Sequence, residues 1–119
     1  MTTTGMTTPS GQPLSMLWFR AGAAFDAKDY AGAARLLEEL ATETPGRTDV
    51  RMLLARSYYH SAQLRRAEQE LREIIERDPV EPYAHLMLGR TLQRQGREAE
   101  ATRYLNLAAA FNGEAATAP

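Results

Sequence analysis

This chain repeats itself every 34 residues, and that period limits its fold more than any other feature. Pro45 and Pro79 stand 34 residues apart, and Gly113 follows after the same interval. Sliding the sequence by this distance divides it into three units without gaps, 14–47, 48–81 and 82–115. The eighth position of a unit holds Ala21, Ala55 and Gly89, the twentieth Ala33, Ala67 and Ala101, and the twenty-fourth Leu37, Leu71 and Leu105. A fixed period of this length marks stacked supersecondary units, none of which buries its apolar face alone.

Each unit divides into two helices, because apolar residues recur at three- and four-residue spacing between short breaks. The pattern predicts helices over 14–26 and 30–43, 48–60 and 64–77, 82–94 and 98–111. Thr48 and Asp49 suit a helix start, Pro82 a first turn, and the stretches "RDP" and "TPG" a stop. Within "LMLGRTLQRQG", Gly89 costs ~1 kcal/mol relative to alanine. A crossing explains it. If the eighth and twentieth positions face each other where the two helices of a unit cross, both must be small, and Gly89 opposite Ala101 is the tightest of three equivalent sites. On this reading Gly89→Leu overpacks the crossing and Gly89→Ala is near neutral.

A 34-residue helix-turn-helix with small residues at these two positions, and a proline near its end, resembles the tetratricopeptide repeat. The resemblance covers residues 14 to about 113. It is strongest in the second unit, "LARSYYHSAQLRRAEQELREIIERDP". The third carries the family's Leu-Gly pair as Leu88 and Gly89 and a turn glycine as Gly96. In the first, "KDYAGA" fits the turn and second helix, while Arg20 occupies a usually apolar position. The resemblance implies an all-α solenoid of three repeats in a short right-handed superhelix, used for scaffolding and not for catalysis. Residues 1–13, rich in Thr, Ser, Gly and Pro, read as a disordered leader, 14–113 as the repeat domain and 114–119 as a C-terminal tail.

Several function classes are disfavoured. A net charge of -1 spread over interleaved signs gives no reason to expect nucleic acid or an anionic membrane as partner. The absence of cysteine removes thiolate chemistry and fits a reducing compartment. The first residues lack the basic start and apolar run of a secretion signal, and no apolar segment approaches the roughly 20 residues of a membrane span, so a cytoplasmic location is expected. Thirteen arginines against the single Lys28, with abundant alanine, suggest a GC-rich bacterial genome. There is no phosphate-binding glycine loop, nucleophile elbow or His-Glu metal motif. His60 and His85 are too far apart in sequence to share one helix face and read as surface or groove imidazoles. Glu68, Glu70, Glu73 and Glu76 alternate with Arg65, Arg66, Arg72 and Arg77 as a solvated helix face. No catalytic residue, metal or cofactor is expected.

In tetratricopeptide proteins the first helices line a concave groove, mainly through the second, fifth, ninth, twelfth and thirteenth positions. That register selects Trp18, Phe25, Met52, Tyr59, Tyr83 and Leu86 as apolar or aromatic anchors, with Arg56, Arg90 and Arg94 to pair with acids on a peptide or partner protein. Chaperone-tail clamps of this family grip a terminal carboxylate with Lys or Arg and Asn at the fifth and ninth positions. Here those positions are Trp18, Gly22, Met52, Arg56, Leu86 and Arg90, and only Arg90 retains that character. The expected function is therefore a non-catalytic adaptor with a groove-bound partner. The alternative is a structural homodimer joined through Leu107, Ala108 and Phe111 of the final helix, which no following repeat covers.

Overall fold

The computed structural model describes residues 11–113. They form six helices, α1 (Leu14–Asp26), α2 (Tyr30–Glu43), α3 (Thr48–His60), α4 (Leu64–Arg77), α5 (Pro82–Arg94) and α6 (Glu98–Phe111). The residues described contain no strand. Residues 1–10 of the expected leader and the expected tail, 114–119, lie outside the described residues.

The same backbone device ends every first helix. Lys28, Ala62 and Gly96, each at the fifteenth position, adopt φ of 66°, 63° and 77°. A left-handed residue reverses the chain in one step, and only the third repeat supplies the glycine that carries no Cβ penalty there. Asp29 then caps α2 by accepting from the Gly32 amide at 3.0 Å, and Glu81 caps α5 by accepting from the Tyr83 amide at 2.7 Å.

Consecutive helices pack in antiparallel order, and the core divides into two clusters. Leu17, Leu37, Leu40, Val50 and Leu54 anchor the first, with Leu71, Ile74, Ala84, Leu88 and Leu92 in the second. Each cluster spans the boundary between one repeat and the next, so a repeat is buried by its neighbour as much as by its own helices. Of the non-consecutive helices, α3 and α5 make the most extensive contact, which places the first helices on the inner side of the curve. The extents of 59 × 27 × 21 Å are those of a short rod.

The crossing at Gly89 is tighter than its spacing suggests. A Cβ on Gly89 would stand 2.6 Å from Leu105 Cδ2 and 3.3 Å from the Ala101 carbonyl oxygen. The methyl of Gly89→Ala therefore requires the end of the half-buried Leu105 side chain to move aside. Ala21 and Ala55 occupy the equivalent crossings, fully buried. The difference lies in α6, which no described helix covers and which settles against α5 in the most extensive helix pair of the molecule.

Candidate functional site

The inner face carries a row of aromatic rings, and arginines lie over three of them. Arg47 sits 5.1 Å from the Trp18 ring centre, Arg56 4.8 Å from Phe25 and Arg94 4.7 Å from Tyr59. Arg56 and Arg94 come from the repeat after their aromatics, and Arg47, the last residue of the first repeat, stands directly before α3. A guanidinium over a ring face gains from the ring quadrupole, so these pairs staple one first helix to the next. Arg94 adds a hydrogen bond, its Nη1 donating to the Tyr59 carbonyl at 2.8 Å in the last turn of α3.

His60 is the hinge of this row. Its ring stacks on Tyr30 at 4.6 Å and meets the edges of Phe25 at 5.8 Å and Tyr59 at 5.4 Å. Partial burial, together with the charges of Arg56 and Arg94, pushes its pKa below the ordinary 6.5. The site therefore favours a neutral imidazole between two permanent cations.

The predicted anchors fare unequally. Trp18, Phe25, Met52, Tyr59 and Leu86 are half-buried, and Tyr83 alone is open to solvent, at 40%. Phe25 and Tyr59 are also part of the first core cluster's lining, and Met52 of the second's. These side chains are a shallow textured surface and not a set of empty pockets. Arg90 and Arg94 are exposed and Arg56 half-buried. None of the three takes part in an ion pair among the described residues, although eight pairs occur elsewhere.

Two expectations need correction. His85 is neither a surface nor a groove residue: it is 3% exposed, its Nε2 lies 2.8 Å from the Pro79 carbonyl, and its ring stacks on Tyr104. Its buried Nδ1 has no partner among the described residues. Ala108, expected on an open end face, is 5% exposed because α6 folds it back onto its own repeat. Leu107 is half-buried, and Phe111 is 40% exposed with its ring 5.1 Å from that of His85.

Sequence reasoning missed Tyr30, whose ring completes the aromatic row. Its position opens a second helix, outside the register of groove positions, so only the turn geometry at Lys28 and Asp29 brings it beside His60. The outer surface also carries ordered polar contacts. Glu68 accepts from Arg72, Gln95 and Arg97 at 3.0, 3.0 and 2.8 Å, which ties α4 to the turn before α6. Burial alone would raise the pKa of Glu68, but these three donors outweigh it and leave the carboxyl more acidic than usual. Among the described residues no group of His, Asp or Glu is placed to hold a metal ion, and no helix is long and apolar enough to cross a membrane.

A family model described as Tetratricopeptide repeat matches residues 24–87, more than half of the chain. No curated protein is significantly similar in sequence. Solved structures share the fold at low identity. A crystal structure of MamA superposes with a TM-score of 0.78 at 16% identity, covering 96% of this chain and 63% of that one. MamA from its residue 41 onward, of Desulfovibrio magneticus RS-1, gives 0.78 at 19%, covering 83% and 56%. A CopN–Scc3 complex gives 0.77 at 20%, covering 82% and 58%. The chain thus spans less than two thirds of the length of each of these three.

Proposed function

The chain belongs to the tetratricopeptide repeat family, and we propose that it acts as a non-catalytic cytoplasmic adaptor whose inner face binds an acidic segment of a partner protein. The observation that carries this reading is the strip formed by Arg56, Arg90 and Arg94. Three guanidinium groups along one surface form no ion pair among the described residues; Arg20, Arg35, Arg65 and Arg103 also form none, but only these three share the inner face with the row of rings, whereas Arg51, Arg72 and Arg97 are tied to carboxylates. A segment bearing Asp or Glu side chains supplies the missing charge through hydrogen-bonded pairs. The half-buried rings beside the strip offer flat apolar area to an aromatic or aliphatic residue next to those acids. The similarity to a solved protein complex is consistent with a scaffold of this kind.

The test uses a fluorescent peptide that alternates Glu with Phe and Leu, and an analogue with Lys in place of Glu, measured by anisotropy. The acidic peptide binds, the basic one does not, and affinity falls with added salt because the charges lie at a solvated rim. Replacing Arg56, Arg90 and Arg94 together chiefly slows association and flattens the salt dependence. Trp18→Ala or Tyr59→Ala costs about 2 kcal/mol if that ring is covered on binding. Loss of binding from Glu70 or Arg72 substitutions, with Trp18, Tyr59 and Arg90 substitutions silent, would move the site to the outer face and refute the reading.

A further inference from the structure

The interface between consecutive repeats is made twice inside this chain, and among the described residues each end presents one half of it, open on α1 and partly covered on α6. At the first boundary Leu37 and Leu40 of α2 share a core cluster with Val50 and Leu54 of α3. At the second, Leu71 and Ile74 of α4 share one with Ala84 and Leu88 of α5. The third, sixth, seventh and tenth positions of a first helix form the receiving face. On α5 these are Ala84, Met87, Leu88 and Thr91, all buried, and on α3 Val50, Leu53, Leu54 and Ser57, of which only Leu53 is half-buried. On α1 the same positions are Met16, Phe19, Arg20 and Ala23, and all four are exposed, Phe19 to 71% and Met16 to 47%. At the other end, Leu105 is half-buried where Leu37 and Leu71 are fully covered.

We propose that the open face of α1 receives α6 of a second copy, head to tail, so that repeat stacking continues from one chain into the next. The junction extends an interface that the chain already makes, in the same register. The two faces also fit in volume. Met16 stands where Val50 and Ala84 stand, and Arg20 where Leu54 and Leu88 stand, so at these two positions α1 projects longer side chains than its counterparts, while Ala23 is shorter than Ser57 and Thr91. Opposite them, α6 has Ala108 in place of Leu40 and Ile74, which leaves room for that length. The register brings Asp26 beside Gln93 and next to the Arg94 end of the basic strip, an opposite charge at the seam. Because one copy's α1 meets a different surface of the next, the contact is heterologous: it builds open chains of copies and not twofold dimers.

Sedimentation velocity on the whole chain, from low to high micromolar concentration, tests this without any peptide ligand. The parent protein grows past the dimer as concentration rises. Phe19→Asp blocks the receiving face and Ala109→Arg the donating one, Ala109 being half-buried at the position where Ala41 and Ile75 pack against the two boundary clusters, and each variant alone is monomeric with an unchanged helical circular-dichroism spectrum. Mixed in equal amounts, they form a one-to-one dimer through their two intact faces and go no further. A parent that is monomeric throughout overturns the proposal, and association that appears only after removal of residues 1–10 shows that the chain's own segment covers α1 instead. A parent that stops at the dimer, dissociated by Phe111→Glu and not by Phe19→Asp, overturns it in favour of a twofold contact.

Discussion

The first and last repeats are built on one 34-residue template and finish in opposite ways. The first keeps alanine at its crossing, where Ala21 and Ala33 are fully buried, and leaves the outward face of α1 open with Phe19 on it. The last closes partly on itself. Gly89 lets Leu105 sink between α5 and α6, and Tyr104 and Phe111 lie against His85. An apolar face without a following repeat must either stay exposed or be covered by the repeat's own residues. The first end takes the first course and the last end part of the second, since Ala108 is covered while Leu105 and Ala109 stay half-buried, with the middle repeat, covered on both sides, as the standard for each.

Paired truncations at the twenty-fourth position test that contrast with the largest effect. Leu71→Ala removes a fully buried side chain between two repeats and is expected to lower stability by about 3 kcal/mol in urea denaturation. Leu105→Ala deletes the same atoms from a half-covered site and is expected to cost about half as much. Equal losses would show that the last repeat is as well packed as the junctions, which breaks the comparison.

The crossing at Gly89 gives the next largest effect. Gly89→Leu is expected to cost about 2 kcal/mol or more, since overpacking outweighs the gain in helix propensity. Gly89→Ala is expected to cost about 1 kcal/mol, because its methyl displaces Leu105 from a contact that would otherwise be 2.6 Å. In the Leu105→Ala background the penalty of Gly89→Ala should disappear and the better propensity of alanine should show. A Gly89→Ala protein melting at or above the parent temperature would mean that the last repeat closes no more tightly than the first.

The turns give a smaller effect of opposite sign. Ala62→Gly relieves a left-handed backbone at φ 63° and is expected to raise stability by about 0.5 to 1 kcal/mol, read as an increase in thermal midpoint. Gly96→Ala, the reverse exchange in the last repeat, is expected to lower it by a similar amount. If Ala62→Gly destabilises, the turns of the second and third repeats are not interchangeable.

Much of the fold was legible because it is written in period and side-chain size. The six helices keep the bounds that the apolar spacing and the proline stretches predicted, and the small eighth and twentieth positions marked the crossings. What the pattern could not hold is how close two helices come. The spacing of Gly89 and Ala101 implied a tight site, but only the settling of α6 brings Leu105 onto Gly89. The candidate groove was legible in its residue types and not in their use. Phe25 and Tyr59 satisfy the register of partner-facing rings, yet each is already half covered by an arginine from the next repeat, and that pairing depends on rotamers. His85 was misplaced for a similar reason: its position corresponds to Leu17, a core site, and to Arg51, a surface-reaching one, so register alone did not decide between them.

His60 and His85 offer the smallest and most specific contrast, between a junction and an end. His60 lies where the first two repeats meet, and the folded protein lowers its pKa below 6.5 through burial and the charges of Arg56 and Arg94. The sign of the effect follows from proton counting. Above pH 6.5 the imidazole is neutral in both states and adds no pH dependence. As the pH falls below 6.5, the unfolded chain takes up the proton first, so the folded state loses stability until its own imidazole protonates. The difference in unfolding free energy between the parent and His60→Gln should therefore be flat above neutrality and turn against the parent in mild acid. Bound acidic peptide should lessen the shift, because a carboxylate paired with Arg56 and Arg94 removes the repulsion that adds to burial in keeping the ring neutral. An NMR titration of the His60 ring protons reads both states directly, and a midpoint that does not rise with peptide would separate His60 from the binding surface and leave it a staple between repeats.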